Sequence, residues 1–159
     1  MPALREALTA QGFDQVRTYV QSGNVVLSSK ESPEQLSEHV RKAITDEFGL
    51  DIAVMVRTRQ ELAKVVERDP LGEVVTNPKR YLVSFLSGQV DDAAVERLSK
   101  ATVGEEQFAV HGRELYAWIP DGVARSKLWA AVASGRLGVA ATARNWTTVT
   151  QLLAISSAT

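Results

Sequence analysis

EQFAVHGRELYAWIP, Glu106–Pro120, holds two short apolar runs, Phe108–Val110 and Leu115–Ile119, on either side of His111, Gly112 and Arg113. Runs of this length joined through a glycine predict a β-hairpin with its turn at His111–Arg113. Upstream, RYLVSFLSG from Arg80 reads as a strand rich in aromatic and branched residues, and DDAAVERLSKA from Asp91 as a helix with acids in its first turn. Downstream, SKLWAAVASG is a helix capped by Ser126 and stopped by Gly135 or Gly138. ATARNWTTVT, Ala141–Thr150, then opens another helix, because Trp146, Val149 and Leu153 fall on one helical face. The predicted order is β-α-β-β-α-α.

The N-terminal half repeats part of this pattern. Pro2–Gln11 carries Leu4, Ala7 and Leu8 at helical spacing, with Gly12 as its stop. Val16–Gln21 and Asn24–Ser29 flank a Gly23–Asn24 turn and predict a second hairpin. Ser32 and Pro33 start a helix whose stripe runs Leu36, His39, Val40, Ile44 and Phe48, with His39 packed or at the rim. DIAVMV, Asp51–Val56, reads as a strand, and Thr58 with Glu61 forms a capping box for a short helix. DPLGEVVTNPK, with two prolines and a glycine, marks a boundary between subdomains 1–75 and 76–159.

Helix and hairpin in each half give an α+β fold of two ferredoxin-like (α/β plait) subdomains with antiparallel sheets. The first lacks its leading strand, since the chain starts at Met1 directly in a helix. Another segment, a partner chain across the exposed sheet edge, or a late translation start would account for this.

Composition narrows the chemistry. There is no cysteine and only two separated histidines, His39 and His111, so thiol and zinc chemistry are excluded and neither metal nor cofactor is expected. Net charge is −1, so any nucleic-acid contact must be local. The longest apolar stretches are strand-sized and the N-terminus has no signal-like apolar region, which predicts a cytoplasmic protein without a membrane partner. Phosphate-loop, dinucleotide-binding, zinc-protease and serine-hydrolase motifs do not occur. Carboxylate pairs Asp91–Asp92 and Glu105–Glu106 fall in a helix start and a loop, where the helix dipole and solvation explain them. Tyr116, Trp118 and Trp129 read as core.

What remains is a basic C-terminal stretch. Beyond residue 120, Arg125, Lys127, Arg136 and Arg144 face a single acid, Asp121. Arg125 and Lys127 flank Ser126, while Thr142, Arg144 and Asn145 precede the last helix. N–H groups at helix starts beside cations stabilise a phosphate or carboxylate.

GFDQVRTYVQSGNVVLSS, GVARSKL and ATARNWTTVTQLL resemble the signature stretches of a bacterial family catalogued as domain of unknown function 1697. The resemblance implies two packed ferredoxin-like subdomains. It also implies a leading strand and glycine turn that this chain lacks. The matched polar positions Gln21, Ser22, Gly23, Asn24, Arg125, Ser126, Lys127, Thr142, Arg144 and Asn145 become the candidate ligand-binding residues, and no catalytic residue is assigned. Three readings arise: a non-catalytic module binding phosphate groups of DNA or RNA, an enzyme on a small phosphorylated or anionic ligand, and an interaction scaffold, with a homodimer through the exposed sheet edge as its form.

Overall fold

The computed structural model describes residues 2–19, 23–134 and 137–157. It is an α+β structure with six helices and two antiparallel sheets among those residues. The chain forms two compact units, Met1–Ala63 with Thr150–Thr159, and Lys64–Val149. The second unit therefore interrupts the first in sequence.

In the first unit, helix α1 (Pro2–Ala10) is followed by strands β1 (Asp14–Tyr19) and β2 (Asn24–Ser28). The strands pair antiparallel, with Tyr19 opposite Asn24. Helix α2 (Pro33–Phe48) starts from a capping box at Ser32 and Gln35, and stops at Gly49, whose positive φ closes the last turn. Leu8, Phe13, Val40, Ala43 and Ile44 make the core, with Val25, Leu27 and Val54 packed against it. His39 lies against the Phe13 ring, centroids 4.6 Å apart, and its Nδ1 is 2.8 Å from Glu31 Oε1.

The expected strand at Asp51–Val56 does not form. These residues join no ladder, although Val54 packs on the core and its carbonyl accepts the Ser37 hydroxyl at 2.9 Å. A strand-like sequence becomes a strand only beside another backbone. This segment pairs with neither β1 nor β2, which pair with each other. Helix α3 (Arg59–Arg68) comes next, with the expected Thr58–Glu61 box in place.

In the second unit the chain runs through a tight 3₁₀ turn at Pro78–Arg80 into strand β3 (Tyr81–Leu86), helix α4 (Asp92–Ala101), and the hairpin of β4 (Gln107–His111) and β5 (Glu114–Trp118). A second 3₁₀ turn at Val123–Arg125 leads to helix α5 (Lys127–Ala133). The next segment corrects the sequence reading, because Ala141–Asn145 is strand β6, and helix α6 (Trp146–Ser157) begins only at the tryptophan. ATARN is extended because β3 offers it a ladder, Leu82 opposite Asn145 through Leu86 opposite Ala141. The helical spacing of Trp146, Val149 and Leu153 applies to α6 alone. The sheet order is β4-β5-β3-β6, all antiparallel.

Both faces of this sheet are covered. Leu82, Leu86, Leu115, Ala117 and Ile119 pack with Leu98 of α4 and with Leu128 and Val132 of α5. On the other face Tyr81, Val83, Phe85, Tyr116 and Trp118 are also buried. The Tyr116 hydroxyl donates to the Val65 carbonyl at 2.8 Å, and that of Tyr81 to Asp69 Oδ1 at 2.9 Å, which ties residues 65–71 to the sheet. The Tyr81 ring stacks on Trp146, centroids 4.6 Å apart. Gly72 has no Cβ for a reason, since one placed there would lie 2.5 Å from Asp69 Oδ2.

Candidate functional site

The candidate residues do not gather in one place. Gln21 and Ser22 lie outside the described residues. Gly23, with φ of 82°, forms the hairpin turn, and buried Asn24 donates its Nδ2 to the Tyr19 carbonyl at 3.1 Å. Both have a structural part in the β1–β2 turn.

Ser126 is also engaged. It caps α5, its Oγ accepting from the Trp129 amide at 3.0 Å and donating to Glu106 Oε2 at 2.6 Å. The anion anticipated at this helix start is thus one of the protein's own side chains, with Arg125 and Lys127 exposed on either side. Ser126→Ala removes the cap and the hydroxyl that donates to Glu106, so we expect a loss of about 1–3 kcal/mol in urea unfolding. A loss below about 0.5 kcal/mol would show that this contact contributes little.

On β6, register separates the remaining candidates. Thr142 and Arg144 stand opposite Phe85 and Val83, on the face of the buried aromatics, and Asn145 stands opposite Leu82 on the other face. Half-buried Arg144 donates to the Ala143 carbonyl at 2.7 Å, and burial lowers its pKa from the ordinary arginine value. Asn145 caps α6, its Oδ1 accepting from the Thr148 amide at 2.9 Å.

Asn145 also lines a groove of about 450 Å³ with Asn77, Lys79, Arg80, Leu82, Ile119, Gly122 and Val123. It lies where β3 begins and β5 and β6 end. Sequence reading placed Asn77–Lys79 in a linker and missed Lys79 and Arg80. Arg80 is fixed there, since its Nη1 donates to the Pro120 carbonyl at 2.9 Å and its own carbonyl accepts from Ile119 at 3.0 Å. Gly122, with φ of 90°, lets the loop pass this guanidinium, since a Cβ would fall 2.9 Å from Nη1.

The chemistry of this lining is one-sided. Asn77 Oδ1 is taken by the Lys79 amide at 3.0 Å, and Asn145 Oδ1 by Thr148. Each Oδ1 has one lone pair taken, and the two NH₂ groups only donate. Lys79 and Arg80 likewise only donate, and no acid is among the lining residues. A hollow on α2 in the first unit contrasts with this. Several of its side chains are already paired, His39 with Glu31 at 2.8 Å, Lys42 with Asp46 at 2.8 Å, and Arg41 with neighbouring Asp51 at 2.6 Å.

Among the described residues no cluster of His, Asp or Glu is arranged to hold a metal ion, and no helix is long and apolar enough to cross a membrane. The protein is thus an α+β chain of two antiparallel sheets with a cationic, donor-lined groove at one sheet end. Residues 1–116 match the family described as protein of unknown function (DUF1697), and the chain belongs to that family. The match stops at Tyr116, ahead of Gly122–Leu128 and Ala141–Leu153. The conserved bacterial protein SP0830 from Streptococcus pneumoniae has a similar fold, with a TM-score of 0.77 at 18% identity over 98% of this chain and 88% of its own. No curated protein matches the chain.

Proposed function

We propose that this protein is a non-catalytic binding module that engages phosphate groups, those of DNA or RNA in particular, through the groove at Asn77, Lys79, Arg80 and Asn145. One observation carries the reading: the four polar side chains of the groove can all donate hydrogen bonds, two of them with positive charge, and none is an acid. A ligand that only accepts, an oxyanion, is the chemical complement. Burial of Tyr81, Tyr116 and Trp118 favours contact through phosphates over bases stacking on the sheet. The reading includes a ferredoxin-like plait for the second unit, supported by the order β-α-β-β-α-β and by β3 lying between β5 and β6. It includes a related, incomplete plait at 1–75. A cytoplasmic setting belongs to it too, and the absence of cysteine fits a reducing compartment.

Fluorescence anisotropy of labelled single- and double-stranded oligonucleotides, at low and physiological salt, tests this. We expect Lys79→Ala with Arg80→Ala to weaken binding about tenfold or more at low salt and to flatten the logarithmic salt slope by roughly one per cation removed. Arg144→Ala, on the other face of β6, should change affinity little. An equal loss in Arg144→Ala would move the site to the aromatic face, and no binding by the unmodified protein at low salt would remove nucleic acid as the ligand.

A further inference from the structure

The groove is polar on one side only. Beside the donors, Val123 is 45% exposed at the lip, while Leu82 and Ile119 behind it are buried in the core of the second unit. A site built for bare phosphate would have no use for this apolar side chain, which a hydrated ion leaves wet. An apolar body attached to the phosphate would cover it and displace that water.

The donors also favour one form of phosphate. The Asn77 and Asn145 amides, Lys79 and Arg80 line a single groove, and the two cations are adjacent in sequence. A monoester presents three terminal oxygens and close to two negative charges near neutral pH. A backbone diester has fewer terminal oxygens and a single charge, and would leave more of these donors unmatched. The volume of about 450 Å³ holds a phosphate together with a ring-sized body.

Resting on the phosphate reading of this groove, we propose that its ligand is a phosphate monoester of an apolar, ring-sized body, a small molecule or the phosphorylated end of a strand. Lys79, Arg80, Asn77 and Asn145 take the phosphate. Val123 takes the body.

Calorimetric titration of the protein with phenyl phosphate, inorganic phosphate and phenol separates the two parts. Phenyl phosphate should bind about tenfold or more tightly than inorganic phosphate, and phenol weakly or not at all. Val123→Ser, an exposed change, should reduce the advantage of phenyl phosphate several-fold and leave inorganic phosphate unchanged. Lys79→Ala should weaken both phosphates together. Equal affinity for the two phosphates would overturn the proposal and leave the phosphate reading standing. Binding of neither phosphate, with oligonucleotide binding retained, would make the site one for the polymer backbone and also overturn it. If no phosphate of any kind binds, both fall. A 5′-phosphorylated oligonucleotide that outbinds its unphosphorylated twin would identify a strand end as the source, and equal binding of the two alongside tight phenyl phosphate binding would identify a small molecule.

Discussion

Tyr81→Ala is expected to destabilise the second unit by about 3–5 kcal/mol, the range for deleting a buried aromatic ring. Tyr81 is 1% exposed, stacks on Trp146, and sends its hydroxyl to Asp69 while accepting from the Leu71 amide at 3.4 Å. Removing the ring leaves a cavity next to Trp146 and takes the donor away from Asp69. Domains of this size have only about 5–15 kcal/mol in total, so the variant should be close to unfolded at 37 °C. Tyr81→Phe keeps the ring and deletes the hydrogen bonds, with an expected cost of about 1–3 kcal/mol. Urea unfolding followed by tryptophan fluorescence reads both. A Tyr81→Ala loss below about 1 kcal/mol would mean that residues 65–71 are not held by this side chain.

The second large effect is alkaline. Burial raises the pKa of Tyr81 strongly, with Asp69 adding to the shift, and burial pushes the Tyr116 phenol up to about 12, although Arg68 opposes it. In the unfolded chain both phenols ionise near 10. Their contribution is therefore complete below pH 10. Between pH 10 and 12 the unfolded state has released protons that the folded state keeps, so stability falls as pH rises. The slope is roughly 1.4 kcal/mol per pH unit for each tyrosine. Urea midpoints at pH 9, 10 and 11 should drop at an increasing rate, with tyrosinate absorbance rising as the protein unfolds. Tyr116→Phe should remove about half of the part due to these two residues. If its midpoints fall as steeply as those of the unmodified protein, the burial argument fails.

Much of this fold is legible because it is local. The hairpin around Gly112, the cap at Ser32 and the Thr58–Glu61 box each depend on a few neighbouring residues, and each stands where the sequence puts it. Errors arise where a distant backbone decides. ATARN alternates alanine with threonine and arginine, a pattern with little strand character, and becomes β6 because β3 has a free edge. DIAVMV has the better strand composition and no partner. The same division runs through the candidate site. Asn145 stands out in the sequence as a polar residue just ahead of the last helix, yet its place in a groove depends on the turn at Pro78–Arg80, where a proline after asparagine reads as a linker. Lys79 and Arg80 carry no motif. Only the meeting of three strand ends sets them beside Asn145.

The insertion of Lys64–Val149 within the first unit has a consequence for synthesis. A ribosome adding roughly 5–20 residues per second takes on the order of ten seconds to pass through that stretch. Throughout that time the first unit has emerged without its closing segment, Thr150–Thr159, while the second unit can complete its sheet as soon as β6 clears the exit tunnel. The later part of the chain is thus able to finish folding first. The earlier part waits for the residues that follow β6 and Val149.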